Sequence, residues 1–362
     1  AMTFSSDWTV ITVLLLTLIS AVVFGVNVLS LSIISSFGLA APCAVGSMGL
    51  LAFGLDLPMA FIVLYVVARL CLMRRLARRL YARATGSPLP RFEVAQRSID
   101  TATVGSGDVL RATLLTPKGQ PGPFPTVLIR TPYGRDVEFG QSFLVEQGYA
   151  CLVQDTRGRF GSDGQFVPVK DEVEDGAATL RWLKTQEWFN GKVGVYGISY
   201  LGFTAWACAG GSEALEVNAC VSVVSQSRVR SVVFIPGGAF AIELAVLWLY
   251  LVIRILVNVG RPHVLAYTWL RGKMRGLPQS AMNWLPIKTL DTFLLEQPLA
   301  FIQEALAHPE PHGPFWKAAD VLCSFEQNVC PVHIVSGWYD FMLTETLEDY
   351  ARARRTGQKD VR

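Results

Sequence analysis

Charge is scarce in this chain and histidine scarcer. Only 17% of its 362 residues are Asp, Glu, Lys or Arg, and the histidines number four: His263, His308, His312 and His333. With a mean hydropathy of +0.36, that deficit excludes an ordinary water-soluble enzyme along the whole length. The apolar excess sits mostly in the first 75 residues. A net charge of +3, with no basic stripe interleaved with aromatics, gives no reason to expect a nucleic-acid partner. The seven cysteines include no C-x-x-C pair. Cys43 and Cys71 lie in apolar segments, Cys151, Cys208 and Cys220 in core strands or helices, and Cys323 and Cys330 are near enough in sequence to bridge. Buried thiols account for this set better than a disulfide framework.

From Trp8 to Ile34 there is no charge at all, and the stretch lacks the basic leader of a signal peptide, so a membrane-spanning helix is expected. A second apolar stretch, Phe37 to Met73, is broken at Gly54–Pro58. It reads either as one helix from Gly49 to Leu72 kinked at Pro58, or as two shorter spans meeting at an interfacial turn that carries Asp56. Arg69, Arg74, Arg75, Arg78, Arg79 and Arg83 come next in one amphipathic segment. They could bind anionic lipid, but a positive-inside stop is the simpler reading, and it places the chain beyond residue 74 on the cytosolic face.

Beyond residue 97 short apolar runs alternate with helical periods. Thr126–Arg130, Tyr149–Gln154, Val193–Tyr196, 217–224 and 331–336 read as strands, Val137–Gln147 and Asp171–Lys184 as helices. That alternation argues for an α/β domain with a mostly parallel sheet. About a hundred residues between the last two strands are mostly helical and rich in Trp, Leu and Phe, as expected of a cap or lid. Within them, 231–257 is apolar enough to span a membrane, but Pro236-Gly237-Gly238, Glu243 and Arg254 interrupt it and favour a buried cap helix. The expected organisation is a transmembrane anchor of two or three helices over 1–84, a core over 85–225 and 326–362, and a helical cap over 226–325. The chain opens Ala1-Met2 and closes Val361-Arg362 with no finishing element, so either end is expected to be a cut.

The sharpest local signal is Gly197-Ile198-Ser199-Tyr200-Leu201-Gly202, directly after the strand VGVY and before an apolar helix. A nucleophilic serine must project from a tight strand-to-helix turn flanked by small residues. The plain G-x-S-x-G pattern is not met, because Leu201 stands where its second glycine would fall and Gly202 comes one position later. A serine between glycines is usually only a turn; the flanking strand and helix make this one specific.

At this point the sequence resembles the cocaine-esterase and X-Pro dipeptidyl-peptidase type of α/β-hydrolase, the CocE/NonD family, whose own elbow is Gly-x-Ser-Tyr-x-Gly. The resemblance runs from about residue 97 to 355. Arg130-Thr131-Pro132-Tyr133-Gly134 is similar to the family's oxyanion-hole segment. Asp155-Thr156-Arg157-Gly158 with Gly161-Ser162-Asp163-Gly164 resembles the loop after its next strand. Trp188-Phe189-Asn190-Gly191-Lys192-Val193-Gly194 leads into the elbow as the family does, His308-Pro309 and Phe315-Trp316-Lys317 resemble the end of its cap, and Gly337-Trp338-Tyr339-Asp340 its acid-bearing turn. The resemblance implies an α/β-hydrolase fold with a helical cap, here preceded by transmembrane helices. It also implies a metal-free, cofactor-free reaction on a small-molecule ester, amide or peptide. Ser199 would be the nucleophile, the Tyr133 hydroxyl and the Tyr200 backbone N–H would hold the oxyanion, and Asp340 would orient a histidine. For Tyr133 the plainer reading is a loop tyrosine, and for Asp340 a cap on the helix starting near Leu343.

One element of the pattern is missing: no histidine follows Asp340 among residues 341–362. His333 lies seven positions before it, in a strand read as buried core. A histidine beyond Arg362 is the expectation, together with the family's C-terminal β-sandwich, which is also not in this sequence. The alternative is a catalytically inactive membrane scaffold that keeps the fold. The missing histidine favours it, whereas the intact Ser199 and Tyr133 oppose it. A transport component would need repeats or polar midplane residues, and neither is present.

Overall fold

The computed structural model describes residues 91–249 and 277–355 apart from 106, 212, 214–216, 236–237, 247, 311–312, 319 and 322–329, together with Val361 and five positions between 79 and 86. The apolar stretches before residue 75, and with them the expected transmembrane helices, lie outside the described residues, as do His263, His312, Cys43, Cys71 and Cys323. Among the described residues no helix is long and apolar enough to cross a membrane. The chain divides into two compact units, one of Ala1–Glu93 with Val137–Gln147 and one of Val94–Asp136 with Gly148–Arg362.

In the first unit the helix expected over 137–147 contracts to α1, Gln141–Val145. Its preceding residues are committed elsewhere. Gly140 takes a left-handed φ of 99°, and the Glu138 carboxylate accepts from the Gly140 and Ser142 N–H groups and from the Ser142 hydroxyl. The Gln141 side chain donates to the Val137 carbonyl, so 137–140 form a capping turn.

The second unit is built on a seven-stranded sheet in the order β1-β2-β4-β3-β5-β6-β7. β1 (Val94–Val104) and β2 (Asp108–Pro117) pair antiparallel, and β2 pairs antiparallel with β4 (Ala150–Asp155). The sequence pattern does not disclose this hairpin, whose alternation is mixed with charges such as Arg97, Asp100 and Arg111. From β4 onward all pairings are parallel, through β3 (Phe124–Thr131), β5 (Phe189–Ile198), β6 (Val217–Val223) and β7 (Val332–Val335). Every residue of β4 is buried, as expected for a central parallel strand covered on both faces. Helices α2 (Glu172–Leu183) and α3 (Tyr200–Gly210) make the crossovers, and nearly all of α3 is buried around Trp206. The described cysteines 151, 208, 220 and 330 are buried thiols.

Between β6 and β7 the described elements are helical. They are α4 (Arg230–Val233), α5 (Ile242–Val246), α6 (Leu277–Met282), a 3-10 turn at Ile287–Thr289, α7 (Leu290–Leu295), α8 (Ala300–Ala307) and α9 (Pro314–Ala318). Phe234 and Phe240 bridge between α4 and α5, so the apolar run from 231 is folded back on itself before residue 250.

The sequence pattern places His333 in the core, and the structure corrects this: along β7 the pattern is buried Val332, exposed His333, half-buried Ile334, exposed Val335. β7 has β6 on one side, while on the other, among the described residues, Val361 bridges it, parallel to Val332. Helix α10 (Leu343–Arg355) comes next and is anchored behind the end of β6, where Ser227 donates through its N–H and its hydroxyl to Asp349 at 2.7 and 2.6 Å.

Candidate active site

Ser199 stands between β5 and α3 with φ 58° and ψ −127°, a left-handed conformation that an L-residue enters only at a cost of about 1–3 kcal/mol. Two glycines make the turn possible. A Cβ at Gly197 would collide with the backbone of Leu201, and one at Gly202 would lie 2.5 Å from the Cβ of Ser225 after β6. The departure from G-x-S-x-G is thereby explained. The close approach falls on Gly202, while Leu201 turns inward and is fully buried. Ser199 itself is exposed.

The parallel strands bring the other sequence-predicted residues to the same end of the sheet. The Ser199 N–H donates to the Val223 carbonyl (3.0 Å), and the Val224 N–H donates to the Val335 carbonyl (2.7 Å), so the ends of β5, β6 and β7 are laced in sequence. Asp340 comes five residues after Val335. Its carboxylate accepts from the Ser336 hydroxyl (2.7 Å) and the Met342 N–H (3.0 Å). It therefore also does the plainer job, heading the segment that becomes α10.

Tyr133, two residues past β3, is half-buried, with Ser199 and Trp248 as the neighbours of its hydroxyl. Burial pushes its pKa above the ordinary tyrosine value, against those neighbours and the nearby Arg159 cation, so the phenol stays a donor at neutral pH. Arg159 donates to the Pro132 carbonyl (3.0 Å) and lies over the rings of Phe160 and Phe166. The Tyr200 N–H heads α3, where an amide has no carbonyl within the helix to bond and the helix dipole favours negative charge. Geometry thus joins Ser199, Tyr133 and the Tyr200 backbone, with Asp340 on the same rim and hydrogen-bonded to neither of the described histidines. Of the described histidines, His308 lies in the cap segment beside Glu304, Glu310 and Phe315, and His333 is exposed on β7. No group of metal-ligating side chains occurs among the described residues.

Sequence reasoning missed Trp248, hidden in an apolar run with nothing to mark it. It also missed Glu172, for which a signal existed. Arg130 ends an otherwise apolar strand, and a charge buried there demands an anion.

The sheet order, the strand–serine–helix elbow and the long helical insertion before β7 define an α/β-hydrolase fold. Within that class the chain belongs to the X-Pro dipeptidyl-peptidase (S15) family, whose model matches residues 106–361. Cocaine esterase of Rhodococcus sp. (strain MB1 Bresler) is 29% identical over 259 residues, covering 64% of this chain and 42% of that protein. A CocE/NonD family hydrolase from Staphylococcus aureus is similar in structure with a TM-score of 0.53 at 20% identity, over 74% of this chain and 45% of its own. An α-amino acid ester hydrolase gives 0.50 at 20%, over 75% and 48%. The resemblance drawn from the motifs is therefore sound, and the chain spans about half or less of the length of these relatives.

Proposed function

We propose that this chain is the catalytic part of a membrane-anchored serine hydrolase that cleaves ester or amide bonds, acyl or X-Pro dipeptidyl, through an acyl-enzyme on Ser199. The observation that carries the reading is the strained Ser199 at the β5–α3 elbow, with the Tyr133 phenol beside it. Ser199 Oγ attacks the acyl carbon as its proton passes to a base. The carbonyl oxygen becomes an oxyanion held by the Tyr133 hydroxyl and the Tyr200 N–H, each such donor being worth about 2.7–4 kcal/mol of barrier. Collapse expels the alcohol or amine, and water then releases the acid. Asp340 orients the histidine that serves as this base.

Residues 1–84 serve as the anchor, with the catalytic domain on the cytosolic side, and 226–325 as the cap over the substrate. The apolar composition of the first segment and its closing arginines support that arrangement. One observation favours a second reading, an inactive α/β-hydrolase-fold scaffold: the Asp340 carboxylate is held by Ser336 and Met342, and among the described residues no histidine bonds it. The test is turnover of p-nitrophenyl esters and X-Pro p-nitroanilides by the protein and by its Ser199→Ala variant. Activity toward either class that disappears in the variant supports the hydrolase, and activity that persists contradicts it.

A further inference from the structure

A buried network that the reaction above does not use joins the two halves of its machinery. Arg130, only 1% exposed, donates from Nε to the Gln154 side chain (2.9 Å) and from Nη1 to the Glu172 carbonyl oxygen (2.7 Å). Its Nη2 lies 3.0 Å from Glu172 Oε2 and 3.6 Å from Asp175 Oδ2, close as a charge pair though not aligned as a hydrogen bond. The other Glu172 oxygen accepts the Tyr200 hydroxyl (2.9 Å), and that hydroxyl accepts the Val169 N–H (2.8 Å). Burial works against the Arg130 charge, and its neighbours, Glu172 foremost, outweigh it, so the guanidinium stays charged, while burial also raises the Glu172 pKa against the pull of Arg130. Isolated charges in such a place would be costly, and the hydrogen bonds and ion pairs of this network hold its members together.

Both ends of this network sit on catalytic elements. Arg130 lies three residues before Tyr133 on β3, and Tyr200 is the residue after Ser199. The Tyr200 ring meets the Tyr133 ring edge-on at 6.5 Å and lies nearly parallel to Trp248 at 6.3 Å, the same Trp248 that neighbours the Tyr133 hydroxyl. The phenol that Glu172 grips is thus packed against both Tyr133 and its partner.

We propose that Glu172, through the Tyr200 hydroxyl, is a positioning residue that sets where the Tyr133 hydroxyl stands relative to Ser199. By holding Tyr200 with one oxygen and Arg130 with the other, it fixes the nucleophile's helix and the oxyanion strand in one register. This rests on the roles of Ser199 and Tyr133 proposed above. An oxyanion donor works only when it is pre-set within a few tenths of an ångström, so loss of the grip acts on the transition state more than on substrate binding.

The experiment measures kcat and KM for p-nitrophenyl butyrate with Tyr200→Phe and Glu172→Gln, each in the wild-type and Tyr133→Phe backgrounds. It is run at a temperature where circular dichroism shows every compared variant folded. Tyr200→Phe keeps the ring and so remains informative if the buried Glu172→Gln change prevents folding. The expected result is a kcat lowered on the order of tenfold with KM within about twofold. In the Tyr133→Phe background the same change costs less than about twofold, because its effect runs through Tyr133. An unchanged kcat, or an equal loss in both backgrounds, overturns the inference. Turnover surviving in Ser199→Ala would instead overturn the assignment of the nucleophile.

Discussion

Gly202 stands so near Ser225 that a methyl group on it would come within 2.5 Å of the serine Cβ. That approach seats the start of α3 against the end of β6. Gly202→Ala is expected to destabilise the protein by about 1–3 kcal/mol, as overpacking does. Because the clash is with a side chain, Ser225→Gly in the same molecule should recover most of the loss. Gly197→Ala meets the Leu201 backbone and should not be recovered by any side-chain change. Thermal melts of the three variants decide the matter. Equal stability of Gly202→Ala and wild type would contradict the elbow packing.

Asp349 gives the structure a pH dependence. Burial raises its pKa to about 7, against the two hydrogen bonds from Ser227 and the attraction of Arg352, while Glu345 adds to the rise. The folded form therefore holds a proton that the unfolded chain has released. Stability from this group is fully present below the ordinary aspartate range and is lost as pH rises through about 7. Asp349→Asn, which keeps an acceptor for the Ser227 N–H, should flatten that part of the curve of melting temperature against pH. A slope unchanged in Asp349→Asn would show that other groups cause it.

Much of this architecture is legible in the residues. Strands β3, β4, β5 and β6 announce themselves as short apolar runs, because a parallel strand covered on both faces has no polar side to show. Asp171 and Lys184, the expected ends of a helix, flank α2. The β1–β2 hairpin is not legible, since its charged positions break the alternation. His333 misleads too, since an apolar strand composition does not reveal which of its residues stay exposed. Of the site, Ser199, Tyr133 and Asp340 come from ordered motifs. Trp248 and Tyr200's side-chain role come only from three-dimensional packing, which no spacing in the sequence encodes.

The anchor assignment predicts that the protein sediments with membranes and resists carbonate extraction, whereas a version starting at Phe92 does not associate with the bilayer. In sealed vesicles of native orientation, added protease should leave the catalytic domain intact. Ready digestion from outside would reverse the cytosolic placement, and carbonate release would remove the anchor.

His333 should not serve as the base, since it is exposed on β7 seven positions before Asp340. His333→Ala is expected to leave p-nitrophenyl ester turnover within about twofold of wild type, whereas loss of a triad member costs on the order of 10⁴ or more in rate. Turnover abolished in His333→Ala would make His333 the base.

The most direct test of the central claim is covalent labelling of the full-length protein by a fluorophosphonate probe, with peptide mapping of the product. Ser199 should carry the label, Ser199→Ala should lose it, and Tyr133→Phe should slow its formation. Label recovered on another residue, or undiminished in Ser199→Ala, would contradict Ser199 as the nucleophile.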